Sequence, residues 1–225
     1  MRTAPAVLLA ASILPAVAQA PSTRFQPLLN NNYVDVTGLD LPPGRQAAVY
    51  QNTRDVFWIA LNQGSLTFVA TGGTKSSIQF HPGDTRFFRR NQVRSAVNES
   101  DTAVRSVVVE IKRPGMTSSA CYCTDKVESA LCGCGAPRHL PPMWATGMGK
   151  IMVGSTVLAA EESYQRTAHR GDALLVALTP VRLLDEAGEA AAIDLKAGEV
   201  AWVNAGRHKF KNTAAAPARF VSFEF

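Results

Sequence analysis

One segment constrains this chain more than any other, because it occurs twice. Asp55-Val56-Phe57-Trp58-Ile59-Ala60-Leu61 returns 117 residues later as Asp172-Ala173-Leu174-Leu175-Val176-Ala177-Leu178. Both are unbroken apolar runs behind an acidic residue, the pattern of a strand buried on both faces. Further landmarks keep nearly the same spacing: Val34-Asp35-Val36 with Ile151-Met152-Val153, Pro82-Gly83-Asp84 with Ala197-Gly198-Glu199, Asn98 with Asn212, and Val109-Glu110-Ile111 with Phe223-Glu224-Phe225. The offset drifts only from 117 to 114. The chain is therefore two copies of one unit, over 33–112 and 151–225, and both copies have to reach the same fold.

Within each unit the apolar pieces are short, β-branched or aromatic, and separated by Gly, Asn, Asp and Pro turns, with strand-like alternation in Leu66-Thr67-Phe68 and Ile193-Asp194-Leu195. Roughly seven or eight such strands in about 75–80 residues suit a double sheet closed on itself as a jelly roll, which removes exposed edges. The expected fold class is all-β, two small jelly-roll barrels. Trp58 and Trp202 are candidates for sealing one barrel against the other, although pattern alone does not assign their faces. With 46% hydrophobic and 18% charged residues the chain has a core to bury, which excludes a disordered polymer. Its formal charge of +5 is scattered rather than gathered into a stripe, so a nucleic-acid partner is not expected.

Ahead of the first unit, residues 1–20 run from Arg2 through an apolar stretch, Ala6 to Ala18, into small residues. This is the pattern of a cleaved secretory signal. Cleavage after Ala18 is expected, with Ala20 as the alternative that would place Pro21 directly behind the cut. The stretch is shorter than the roughly 20 residues of a membrane-spanning helix. The expectation is an exported protein, periplasmic or secreted, with no membrane anchor.

The two units resemble a cupin barrel duplicated within one chain, a bicupin. That resemblance implies the double-stranded β-helix fold and, where its two motifs are complete, three histidines and an acidic residue converging on one divalent transition metal, with positions left open for substrate. The second half keeps part of this. Gly198, Asn204-Ala205-Gly206, His208 and Asn212 resemble the second motif, with Asn204 in place of its proline, and His169 falls on the second histidine of the first motif. Thr167 stands where the other histidine belongs and Ala173 where the acidic ligand belongs. His169 and His208 are thus the candidate metal ligands, and one divalent transition metal in the C-terminal barrel the candidate cofactor.

The first half departs further. Its equivalents are Tyr50, Asn52 and Arg94, with Asp55 nearby. Arginine stays protonated and does not ligate cations, so this trio suits a small anion better than a metal. Arg89 and Arg90 add basic character, with solvated arginines on a barrel rim as the plain alternative.

All four cysteines sit between the units, in the connecting segment 113–150, as Cys121-Tyr122-Cys123 and Cys132-Gly133-Cys134. In an exported chain they are expected to form two disulfides, each joining one pair to the other, because a bond within Cys-x-Cys is strained. A four-thiolate site for Zn or Cu(I) is the alternative. Three functions follow: an exported bicupin that binds a small molecule or acts structurally without a complete metal centre; a metal-dependent oxygenase or isomerase using the C-terminal barrel; or a thiolate metal-binding protein.

Overall fold

The computed structural model describes residues 23–47, 50–51, 53–70, 73–88, 90, 93–112, 120–122, 144–146, 151–166, 171–188 and 191–225. Every regular element among them is a strand. The N-terminal half contains β1 (Arg24–Asn30), β2 (Val34–Leu41), β3 (Tyr50–Gln51), β4 (Val56–Ala60), β5 (Gly64–Ala70), β6 (Lys75–Phe80), β7 (Thr85–Phe88), β8 (Val93–Asn98) and β9 (Val104–Ile111). A short antiparallel pair, β10 (Ala120–Tyr122) and β11 (Trp144–Thr146), lies between the halves. The C-terminal half contains β12 (Met152–Leu158), β13 (Ser163–Arg166), β14 (Ala173–Ala177), β15 (Val181–Asp185), β16 (Ile193–Leu195), β17 (Val200–Val203), β18 (His208–Asn212) and β19 (Ala218–Glu224).

Each half is a pair of antiparallel sheets with one topology. The first half orders them β1-β2-β9-β4-β7 and β3-β8-β5-β6, the second β12-β19-β14-β17 and β13-β18-β15-β16. Apart from the extra edge strand β1, the orders superpose strand for strand. The repeat extends to single hydrogen bonds. Asp55 Oδ1 accepts from the Arg90 amide and Asp172 Oδ1 from the Ala205 amide. The fully buried Asn98 donates through Nδ2 to the carbonyls of Leu41 and Thr102, and Asn212 to those of Leu158, Ala159 and Ala216. Each of these asparagines stitches three loop and strand ends together, where a buried amide without partners would cost about 1–3 kcal/mol.

The unbroken apolar runs are explained by what lies on either side of them. Along β4, Phe57 and Ile59 face away from the N-terminal barrel and join Val36, Val107, Val109, Val153, Leu174, Val176, Val221 and Phe223 in one buried cluster built from both halves. Val56, Trp58 and Ala60 face inward and pack with Leu66, Phe68 and Phe80. Sequence pattern alone left Trp58 and Trp202 as joint candidates for the seal. Strand alternation separates them: Trp58 fills the first barrel, 4.3 Å from the Phe80 ring, whereas Trp202 packs at the seam, 5.1 Å from Tyr33 and 5.4 Å from Phe225. At roughly 1.5–3 kcal/mol for each fully buried large side chain, the seam is a shared core.

The seam is also self-complementary. Leu61 fits against Gly198, where an added Cβ would lie 2.8 Å from the leucine Cδ1, and its repeat equivalent Leu178 fits against Gly83 at 2.9 Å. Both glycines have positive φ, 89° and 94°. The halves therefore meet as the two copies of an isologous dimer would, each lending the same knob to the other's turn.

Candidate functional site

The C-terminal barrel keeps its polar groups at one end of its interior. Alternation along Val181-Arg182-Leu183-Leu184-Asp185 buries residues 181, 183 and 185 and leaves 182 and 184 exposed, so the strand delivers a carboxylate to a core position. Across the ladder Asp185 lies beside β18, where His208 and Phe210 point inward and stack on each other with ring centroids 5.3 Å apart. Asp185 Oδ2 meets His208 Nδ1 at 2.8 Å, with both side chains buried. Asp185 Oδ1 accepts from the amides of Lys209 and Ala187. His208 Nε2 donates to the carbonyl of Asn204 at 2.9 Å.

Directly opposite His208 in the β13–β18 register stands Arg166, also buried. Its guanidinium donates to the carbonyls of Asn204 and Gly171, and its Nε lies 3.6 Å from Glu224 Oε1. Arg166 and His208 therefore converge on one carbonyl and tie the loop before β14 to the loop before β18. Between this cluster and the aromatic residues Tyr164, Phe210 and Phe220 remains a cavity of about 10 Å³, room for roughly one water. On the outer face of β18, the Lys209 ammonium hydrogen-bonds Glu186 and holds its carboxyl below the usual range, while Glu161 pushes the Lys211 ammonium up.

The resemblance implies a metal here, and the donor set can be tested for fit. An imidazole ligates through a ring nitrogen carrying a bare lone pair. In His208 one nitrogen donates to a carbonyl and the other is engaged with a carboxylate, so neither is turned to an ion. The group across from it is a permanently charged guanidinium, which repels a cation. Sequence spacing put Thr167 at that place. The ladder running back from Asn212 puts Arg166 there, one residue earlier, as the counterpart of Tyr50 opposite Arg94. Among the described residues no three His, Cys, Asp or Glu side chains converge. The residues present at His208 do not fit the metal. His169 lies outside the described residues.

In the N-terminal half, Tyr50 and Arg94 are direct partners in the β3–β8 ladder, hence on one face of it; Asn52 and Arg89 lie outside the described residues. The interior beyond is closed by Trp58, Phe68, Phe80 and Phe88. Asp55 is buried with Oδ1 on the Arg90 amide and Oδ2 without a hydrogen-bond partner. Of the cysteines, Cys121 is placed on β10 opposite Ala145, and Cys123, Cys132 and Cys134 lie outside the described residues, as do the expected signal 1–18 and its alternative cut at 20.

At the other end of this barrel, where the β4–β5 and β8–β9 loops meet the end of β6, the surface opens into a cavity of about 370 Å³. His81 sits on its rim, 3.7 Å from Asp84. Sequence reasoning missed Arg166, Asp185 and this cavity. A legible signal existed for Asp185, an acidic residue on the apolar parity of an alternating strand; Arg166 and the cavity depend on loop packing that no pattern records.

No protein-family profile matches this chain, and no curated protein matches it. Solved structures do. AerE from Microcystis aeruginosa superposes with a TM-score of 0.60 at 11% identity, over 90% of this chain and 97% of that one. The salicylate 1,2-dioxygenase of Pseudoaminobacter salicylatoxidans gives 0.59 at 11% identity, over 94% and 76%. A cupin 2 conserved barrel domain protein from Leptotrichia buccalis gives 0.54 at 12% identity, over 92% and 90%. At such identities the likeness is one of fold.

Proposed function

We propose, on a fold that is the cupin barrel present twice, that the chain is an exported module which binds a small molecule and carries no metal centre in its barrels. In this reading the C-terminal barrel is the structural half and the N-terminal barrel the binding half, with the Cys121–Cys134 segment a disulfide staple between them. The observation that carries it is the commitment of His208: both ring nitrogens are spent on Asp185 and Asn204, opposite a buried Arg166. A histidine so tied has no ring nitrogen turned to an ion, which supports a structural role for this end of the barrel.

The experiment is elemental analysis of untagged protein purified from the periplasm. Less than one-tenth of an equivalent of Fe, Mn, Ni, Cu or Zn is expected, unchanged in His208→Ala. About one equivalent that disappears in His169→Ala would overturn the reading in favour of a metal-dependent enzyme. Metal that survives the histidine variants and is lost in Cys121→Ser would move the centre to the cysteines. Intact mass lower than the reduced chain by four hydrogens is the expected mark of two disulfides.

A further inference from the structure

The two halves share one fold, so each serves as a control for the other: a feature the fold requires appears in both, and one present in a single half needs another reason. Applied to the 370 Å³ cavity, the comparison is informative. In the N-terminal half the β5–β6 ladder pairs Ser65 with Gln79 there, and the β8–β9 loop adds Ser100, Asp101 and Thr102. At the equivalent ladder position of the second half stand Arg182 and Asp194, which close on each other at 3.2 Å. The equivalent loop, counted from the shared Asn98 and Asn212, reads Ala214-Ala215-Ala216. The fold thus builds this end of the barrel from alanines and a self-satisfied ion pair. The first half instead leaves a carboxamide, hydroxyls and a carboxylate around open space.

The groups define the ligand class. Ser65, Gln79 and Asp101 make no side-chain hydrogen bond among the described residues and are half-buried or exposed on the cavity wall, so their donors and acceptors are open to solvent or to a ligand. Mixed neutral donors and acceptors with one carboxylate match vicinal hydroxyls, which donate to the carboxylate and both donate to and accept from amides and hydroxyls. No lysine or arginine lines the cavity, and the imidazole on its rim, His81, lies 3.7 Å from the carboxylate of Asp84, so an anion would meet Asp101 without a cation of its own. A volume at the lower end of the roughly 300–1,000 Å³ of small-molecule pockets sets the size. We infer that this cavity is a binding site for a small neutral polyhydroxylated compound, of the sugar or polyol class. The inference rests on the binding role proposed for the N-terminal half and gives it a place and a chemistry.

The test is saturation-transfer NMR and calorimetry on the whole mature chain, with glucose and myo-inositol as neutral probes and citrate as the anionic comparator. Binding of at least one neutral probe is expected with a Kd on the order of 1 mM or tighter. Two variants install what the second half carries: Ser65→Arg with Gln79→Asp, to recreate the ion pair, and separately Asp101→Ala. All three positions are partly or fully exposed, so melting temperatures should hold, and each variant should weaken binding about tenfold or more. Three outcomes overturn the inference: no response to either neutral probe at concentrations on the order of tenfold above that Kd, a response to citrate alone, or neutral binding that both variants leave unchanged. None of these bears on metal content, so failure here and failure of the metal-free reading are separately visible.

Discussion

Removing the Asp185 carboxylate tests why the C-terminal barrel holds together. The group accepts three hydrogen bonds, from His208 Nδ1 at 2.8 Å, the Lys209 amide at 3.0 Å and the Ala187 amide at 3.1 Å, and its side chain has no solvent exposure. Asp185→Ala strands all three donors at a buried position. Each buried donor left without its acceptor costs about 1–3 kcal/mol, and three are stranded at once. Loss of about 4 kcal/mol is expected, or a melting temperature lower by on the order of 10 °C for a chain of this size. His208→Ala should cost less, about 2–3 kcal/mol, because Asp185 keeps both backbone amides. The double variant should cost less than the sum by about 1–3 kcal/mol, since the second change removes the partner the first had stranded. Urea titration followed by tryptophan fluorescence supplies the four midpoints. A cost for Asp185→Ala below about 1 kcal/mol, or single effects that add within about 0.5 kcal/mol, would refute the claim that His208 is committed to the fold.

Two further expectations concern the seam and the surface. Gly198→Ala and Gly83→Ala each force a Cβ within 3 Å of a leucine from the other half at positive φ, so the two should destabilise by similar amounts, about 2–3 kcal/mol; Gly44→Ala, at φ 65° with open space around it, should cost only the backbone strain, about 1 kcal/mol, and thermal melts that fail to separate it from the other two would count against a close-packed seam. Folding lowers the proton affinity of Glu186 through Lys209, so that pair stabilises fully above the range where an unfolded glutamate titrates and is lost as pH falls through the lowered value. The pair is partly exposed and solvent-screened, so Glu186→Gln should flatten the acid side of a urea-midpoint profile only slightly, and high salt should do the same to the parent protein.

The fold was legible because its strongest signals are local and doubled. A run such as Phe57-Trp58-Ile59 reads as a strand buried on both sides from composition alone, and a second copy at fixed spacing removes the chance reading. What the run could not disclose was which neighbour lies on which side: Trp58 and Phe57 look alike in sequence and end in different cores. At the site, spacing located His208 and left its hydrogen-bond partners open. A histidine's chemistry depends on what its two nitrogens touch, and those partners, Asp185 and the Asn204 carbonyl, come from a strand 23 residues away and from a loop. The one-residue error at Thr167 has the same origin, since offset arithmetic cannot see where the ladder places Arg166.

The duplication also separates scaffold from function within one molecule. Both halves keep the aspartate that pins the loop before β8 or β18, the asparagine that knits the end of that strand, and the leucine and glycine that interlock across the seam. They diverge at the two ends of the barrel. At one end the ladder pairs Tyr50 with Arg94 where the second half pairs Arg166 with His208; at the other Ser65 and Gln79 flank a cavity where the second half closes an ion pair. In the C-terminal half Arg166 and His208 share the Asn204 carbonyl, His208 binds Asp185, and Arg182 closes on Asp194. In the N-terminal half Ser65, Gln79 and Asp101 line an open cavity instead, which is the feature the proposed binding role rests on. The proposed division of labour between a structural half and a binding half predicts that substitutions at this cavity change binding and leave stability alone, while those at Asp185 and His208 do the reverse.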